Sequence, residues 1–85
     1  MRMYQTYILQ SEGGKYYIGC TSDVTNRLKM HNSGKVKSTK SAVPWRLIYS
    51  ENFNSLRLAR KRESQIKSWK SRLAIERLVT SGPIV

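Results

Sequence analysis

Three short stretches of the chain have the apolar pattern of β-strands. Residues 3–10 (MYQTYILQ) and 15–20 (KYYIGC) are rich in aromatic and β-branched residues, which favour strands, and SEGG lies between them. This pattern predicts a β-hairpin closed by a glycine-assisted turn. Residues 45–53 (WRLIYSENF) alternate between apolar and polar side chains and predict a third strand.

The rest of the chain shows helical spacing of apolar residues, interrupted by one polar stretch. Each predicted helix follows a residue that can cap its first turn. The helices are expected from Thr21 or Ser22 to Gly34, from Asn54 or Ser55 to Lys70, and from Ser71 to Ser81-Gly82-Pro83. Residues 35–44 contain three lysines and no apolar period, so they are expected to form a loop.

The predicted order ββαβαα indicates an α/β (α+β) fold, with a small three-stranded antiparallel sheet flanked by helices. A chain of 85 residues can bury only one small core, so we expect a single domain over residues 1–85. The larger apolar side chains at core spacing are Trp45, Trp69, Leu56, Ile66 and Leu73.

The excess of basic residues indicates which class of molecule this protein binds. Lys and Arg number 16 against 5 Asp and Glu, a formal net charge of +11, which points to an anionic partner and first to nucleic acid. No apolar run is long enough to cross a membrane, and there is no lipidation motif. The single cysteine, Cys20, cannot form an internal disulfide, and a cytoplasmic location is expected.

Four polar side chains are expected near one end of the hairpin. Arg27 and His31 are four residues apart and share a helix face, and their helix follows directly after the second strand. Tyr7 and Tyr17 lie on one sheet face only if the turn holds an odd number of unpaired residues, which the sequence leaves open. Each tyrosine also suits simple packing in a half-buried sheet.

Glu63 is unusual because helical projection places it on the apolar sector of the second long helix. A buried carboxylate needs a partner, so either an ion pair with a neighbouring Lys or Arg or a bound divalent cation is expected. The sequence leaves both alternatives open.

These residues resemble the GIY-YIG nuclease domain, and in particular its small stand-alone bacterial members. The first motif reads Thr6-Tyr7-Ile8 in place of Gly-Ile-Tyr, and Tyr17-Ile18-Gly19 matches the second motif intact. Arg27 follows Gly19 by eight residues and is similar to the family's helix-borne arginine. The resemblance covers about residues 4 to 70.

The resemblance implies a metal-dependent DNA endonuclease that hydrolyses phosphodiester bonds. It implies that Glu63 binds one Mg²⁺ or Mn²⁺, that Arg27 stabilises charge on phosphorus, and that Tyr7 takes a proton from water. Nearby cations would lower the pKa of Tyr7, while Tyr17 and His31 would orient water or phosphate, with His31 as a proton relay. The implied partner is DNA, including branched or structured DNA, with specificity from DNA shape or a partner protein.

Two departures from the family pattern keep other functions open. Cys20 stands where some members carry a lysine, and the first motif is incomplete. The main alternative is a catalytically inactive nucleic-acid-binding module on the same scaffold. A third hypothesis is an accessory protein that docks onto an acidic partner, and RNA is a further candidate ligand.

Overall fold

The computed structural model describes residues 2–82 and contains the predicted ββαβαα order. The elements are β1 (Tyr4–Ser11), β2 (Tyr16–Thr21), α1 (Val24–Asn32), β3 (Trp45–Phe53), α2 (Leu56–Ser68) and α3 (Arg72–Ser81). The predicted loop contains one short 3₁₀ turn, Lys40–Ala42. Pro83, expected at the end of the last helix, lies outside the described residues. No helix within residues 2–82 is long and apolar enough to cross a membrane.

The three strands form one antiparallel sheet in the order β2-β1-β3. Residues 6–9 of β1 are all buried, so both faces of this strand lie in the interior. They are buried because β1 is central and helices cover both faces of the sheet. The side chains at positions 7 and 9 face α1, and those at positions 6 and 8 face α2.

The length of the hairpin turn determines whether Tyr7 and Tyr17 lie on the same face of the sheet. The Ser11 amide donates to the Lys15 carbonyl at 2.9 Å, which leaves a loop of three residues, 12–14. Gly14 occupies the position with positive φ (91°) that such loops need. The resulting register pairs Tyr7 with Gly19 and Leu9 with Tyr17, so both tyrosines lie on the α1 side of the sheet.

The opposite face of the sheet holds the core that α2 and α3 cover. Ile8, Ile18, Tyr49, Ile66 and Ile75 form its buried centre. The Thr6 hydroxyl donates to the Ala59 carbonyl at 2.7 Å and so connects β1 directly to α2.

Two of the five residues predicted to pack in the core are exposed instead. Trp45 and Ile66 are buried and Trp69 packs partly buried against the core, but Leu56 is 36% exposed and Leu73 is 55% exposed. Leu73 precedes Ile75 by two residues, about 200° around the helix, so it points away when Ile75 faces the sheet.

The first helix is capped by Asp23, not by Thr21 or Ser22. The Asp23 carboxylate accepts a hydrogen bond from the Asn26 amide at 3.0 Å, whereas the Thr21 hydroxyl accepts from the Asp23 amide. The predicted caps of the other helices, Ser55 and Ser71, are confirmed.

Hydrogen bonds hold α1 and the following loop against the sheet. His31 is the one residue of α1 that is fully buried, and its ring contacts the Tyr7 hydroxyl at 3.0 Å and the Thr39 hydroxyl at 2.8 Å. The Asn32 side chain pairs with the backbone of Trp45, accepting from its amide at 2.6 Å and donating to its carbonyl at 2.9 Å. Polar contacts therefore connect α1 to both β1 and β3.

Burial of His31 predicts a specific dependence of stability on pH. Burial, and secondly the charge of Arg27, lower the pKa of His31, so the unfolded chain binds a proton before the folded one does. We expect the free energy of unfolding to fall as pH drops below about 6.5, with a slope of at most about 1.4 kcal/mol per pH unit. The measurement is urea unfolding followed by circular dichroism over this range.

His31→Gln is the matched variant, because His31 is the only histidine of the chain. It should show a flat profile between about pH 6.5 and 5, where no other side-chain type titrates in the unfolded chain. An equal slope in wild type and variant would contradict a buried, neutral His31.

Candidate active site

The structure brings together the four residues singled out at the end of the hairpin. Tyr7 lies on β1, Tyr17 on β2, and Arg27 and His31 on α1. The ring centroids are 6.3 Å apart for Tyr7 and Tyr17, 6.0 Å for Tyr7 and His31, and 4.8 Å for Tyr17 and His31. The two strands and the helix thus place these rings in one cluster on the α1 side of the sheet.

Thr39 determines which nitrogen of His31 carries the proton. The Thr39 hydroxyl donates to the Val36 carbonyl at 3.3 Å, so towards His31 its oxygen is an acceptor. On this basis we assign the ring proton of His31 to Nδ1, so that Nδ1–H donates to Thr39 and Nε2 accepts from the Tyr7 hydroxyl. The result is a directed chain of hydrogen bonds from Tyr7 through His31 and Thr39 to the Val36 carbonyl.

Burial keeps the Tyr7 and His31 side chains, which share a hydrogen bond, uncharged at pH 7. Burial raises the pKa of Tyr7 to about 12, and the nearby Arg27 guanidinium lowers that pKa by less than burial raises it. The expected lowering of the Tyr7 pKa was therefore wrong for the protein alone. Burial and the Arg27 charge lower the pKa of His31 below its usual 6.5, so its ring is neutral at pH 7.

Arg27 has hydrogen-bonding capacity that the protein leaves unused. Its Nε is buried and has no hydrogen-bond partner among the described residues. A buried donor without a partner costs free energy, and an anionic ligand would supply the missing acceptor. Its guanidinium also influences the Tyr7 hydroxyl and the His31 ring, which places one positive charge beside both.

Gly19 makes room for the Tyr7 side chain at the edge strand. A Cβ at position 19 would lie 2.6 Å from the Tyr7 hydroxyl oxygen and 2.8 Å from its Cζ. The Tyr7 ring therefore crosses β2 directly over Gly19, and any side chain there would displace it. This contact explains why a glycine stands opposite the tyrosine in this sheet.

Glu63 approaches the cluster from α2, on the other side of β2. Its half-buried carboxylate accepts from the Lys67 ammonium at 2.7 Å, so the internal ion pair considered for Glu63 is present. The carboxylate also acts on the pKa of two site residues. It is a minor influence raising the pKa of Tyr7, and after burial it is the main influence raising the pKa of the half-buried Cys20 thiol. Glu63 thus acts on Tyr7 through its charge, while its carboxylate is paired with Lys67.

Sequence reasoning missed Thr39, which completes the hydrogen-bond chain. Thr39 is 1% exposed, and its carbonyl also accepts from the Trp45 indole N–H at 2.9 Å. It lies in the stretch expected to be a solvated loop, where nothing in the local pattern marks one threonine for burial. The role of Thr39 becomes visible only in the folded structure, where the loop packs against α1.

A model of the GIY-YIG catalytic domain family matches residues 3–76 of this chain. A UPF0213 protein of Streptococcus pneumoniae is 44% identical over 62 residues, which cover 72% of this chain and 63% of that protein. A UPF0213 protein of Staphylococcus saprophyticus is 35% identical over 83 residues, covering 96% of this chain and all of that protein. The match to the pneumococcal protein thus spans less than two thirds of its length.

A solved structure has a similar fold. The solution NMR structure of a UPF0213 protein from Bacillus halodurans is 38% identical, with a TM-score of 0.59. The similarity covers 92% of this chain and 83% of that one. The chain therefore belongs to the GIY-YIG catalytic domain family, and within that family to the UPF0213 proteins.

Proposed function

We propose that this protein is a metal-dependent endonuclease that hydrolyses phosphodiester bonds of DNA. The family is that of a nuclease-type domain, which supports this class of reaction. The observation that carries the proposal is the 3.0 Å hydrogen bond between the Tyr7 hydroxyl and Nε2 of the buried His31, beside Arg27, whose Nε has no partner among the described residues. A proton acceptor and an unsatisfied cation thus meet at one point, as hydrolysis of a phosphate diester requires.

The Tyr7–His31 bond supplies a route for the proton of the attacking water. As water attacks phosphorus, its proton passes to the Tyr7 oxygen while the Tyr7 proton moves to Nε2 of His31. Tyr7 stays neutral throughout, so its pKa of about 12 is no obstacle to this relay. Because Tyr7 is 1% exposed, the water would be held inside the site and not exchange freely with solvent.

Arg27 stabilises the charge that develops on the phosphate. Arg27 is half-buried, and its guanidinium beside Tyr7 would donate to a non-bridging phosphate oxygen and align that phosphate with the proton acceptor. The Tyr17 ring packs against His31 and Trp45 and keeps the imidazole in place. Tyr17 is half-buried, so its hydroxyl can also orient water or phosphate.

The donor set at the site fits a hard divalent cation held by few protein ligands. Within residues 2–82 no group of three His, Cys, Asp or Glu side chains comes together, and Glu63 is the carboxylate at the cluster. Mg²⁺ characteristically binds through one or two carboxylates and completes its shell with water and substrate phosphate. Glu63 would hold Mg²⁺ or Mn²⁺, which when bound would polarise the phosphate and the leaving oxygen.

The catalytically inactive binding module is the second candidate. The ion pair between Glu63 and Lys67 favours it, because the pair satisfies the carboxylate without a cation. Lys67 is largely exposed, however, and an exposed i,i+4 pair contributes only about 0.3–0.5 kcal/mol. A divalent cation can therefore displace Lys67 at little cost.

Glu63→Gln separates the two candidates. We expect wild type to nick supercoiled plasmid DNA with Mg²⁺ or Mn²⁺ and the variant to be slower by about 100-fold or more, because the carboxylate ligand is lost. Binding to the same DNA in EDTA should persist in both proteins. Gel electrophoresis measures the nicking, and a mobility shift measures the binding.

Glu76→Gln is the matched control for this experiment. Glu76 forms an i,i+4 ion pair with Arg72 on α3, so the control removes the same charge from a similar pair away from the cluster. It should nick DNA like wild type. If wild type binds DNA but never nicks it with either metal, the protein is the binding module and the proposed hydrolysis is wrong.

Thr39→Val tests the proton relay. Valine keeps the side-chain shape but leaves Nδ1–H of His31 without its acceptor, which favours the tautomer whose Nε2 cannot take the Tyr7 proton. We expect nicking to slow by about 10- to 100-fold at pH 7 and Thr39→Ser to restore it. The rates are measured with Mg²⁺, and circular dichroism checks the fold of each variant.

The pH profile distinguishes loss of the relay from loss of packing. Wild-type nicking should rise through the His31 pKa, below 6.5, and stay level to about pH 9. Thr39→Val should instead gain about tenfold per pH unit over the alkaline range, because only ionised Tyr7 remains as a base. A variant profile with the wild-type shape would make Thr39 a packing residue only.

A further inference from the structure

The positive charge of this protein is arranged unevenly with respect to its few acids. Residues 24–50, which form α1, the following loop and most of β3, contain no Asp or Glu. They contain six cations: Arg27, Lys29, Lys35, Lys37, Lys40 and Arg46. This segment is therefore positively charged along its whole length.

Four of these cations are exposed and follow one another along the end of α1 and the loop after it; Lys29, Lys35, Lys37 and Lys40 are termed the lysine surface. None of the four has an ion-pair partner within residues 2–82. On the α2–α3 side, by contrast, ion pairs partly neutralise the cations: Arg62 with Glu51, Lys67 with Glu63, and Arg72 with Glu76. The lysine surface thus lacks the acids that neutralise three cations of the α2–α3 side, where Arg57, Arg60, Lys61, Lys70 and Arg77 remain outside the ion pairs.

The backbone beneath the lysine surface is held in place by hydrogen bonds. The Lys35 amide donates to the Met30 carbonyl at 3.2 Å, and the Lys40 amide donates to the Val36 carbonyl at 3.0 Å. Buried Thr39 connects the same loop to His31 and Trp45. Mutually repelling charges are therefore fixed near one another, an arrangement that an anionic ligand would stabilise.

The lysine surface adjoins the candidate active site. Lys40 directly follows Thr39, whose hydroxyl contacts the His31 ring, whereas Lys29 lies on the exposed side of α1, about 200° around the helix from His31. The loop and the Tyr7 side chain are thus connected by two hydrogen bonds through one imidazole. The loop that carries Lys35, Lys37 and Lys40 therefore borders the site through Thr39 and His31.

We propose that the lysine surface binds the phosphate backbone of duplex nucleic acid and positions one phosphate at Arg27. This inference rests on the proposed function for the identity of the partner and names the surface that receives it. Exposed lysines spaced along a fixed loop match a row of phosphates, and such contacts carry no sequence preference. Residues 29–43 contain no Phe, Tyr or Trp, which argues against insertion into a membrane interface.

The test compares two variants that each lose three positive charges. The surface variant carries Lys35→Gln, Lys37→Gln and Lys40→Gln. The control variant carries Lys15→Gln, Lys61→Gln and Lys70→Gln, at exposed positions in the hairpin turn, on α2 and after α2. Fluorescence anisotropy with a labelled 20-base-pair duplex in EDTA gives the affinity over a series of salt concentrations.

The surface variant should weaken binding and lower the slope of log affinity against log salt by about 2 to 3, because each lost phosphate contact contributes about 0.9. The control variant should keep a slope within about 1 of wild type, since only distant charge is removed. Equal losses in both variants would show that net charge alone drives binding and would overturn the proposal. An unchanged slope in the surface variant would also overturn it.

Two further measurements distinguish this proposal from binding of another anionic ligand and from a failure of the proposed nuclease activity. If the surface variant loses binding to polyglutamate or to anionic vesicles while keeping duplex affinity, the surface serves an acidic protein or a membrane, and the proposal is wrong. Because binding is measured without metal, a reduced slope supports the surface even if plasmid nicking fails. In an active protein, the surface variant should still hydrolyse bis(p-nitrophenyl) phosphate at the wild-type rate, since that substrate has no extended backbone.

Discussion

The hydrogen bonds that join Tyr7, His31 and Thr39 are the constraint on which the rest of this structure depends. The α1 side of the sheet is covered by a short helix whose single fully buried residue is a histidine, where a larger protein would place an aliphatic side chain. A buried imidazole is tolerated only when both nitrogens have partners, and here β1 and the loop provide one each. Removing either partner would loosen α1 and the loop together.

The same bonds give the site its chemical character. Packing His31 deeply keeps it neutral, and directing its Nδ1–H to Thr39 turns Nε2 towards the Tyr7 hydroxyl. Packing Tyr7 over Gly19 raises its pKa, which makes a standing tyrosinate costly and a shared proton favourable. Arg27 then lies beside two neutral groups with a free donor, so its charge is available to a phosphate. Stability and reactivity here arise from one arrangement.

Local patterns predicted the elements and the neighbourhood of the site, but not its details. Strand-favouring residues and the helical spacing of apolar residues were sufficient to predict three strands and three helices, and i,i+4 spacing placed Arg27 with His31. The shared face of Tyr7 and Tyr17 required the length of the turn, which only the folded hairpin determines. The direction of the Tyr7 pKa shift was wrong because burial, a property of the whole fold, outweighs one nearby cation. Thr39 went unnoticed because its partner lies on another element.

The most direct measurement is ¹⁵N NMR of the imidazole ring as a function of pH, since one histidine gives one pair of ring signals. We expect a protonated Nδ1 and an unprotonated, hydrogen-bonded Nε2 at pH 7, with a titration midpoint below the 6.5 of an ordinary histidine. A ring protonated on Nε2 would mean that His31 cannot receive the Tyr7 proton as described. A midpoint at or above 6.5 would mean that burial does not keep the ring neutral.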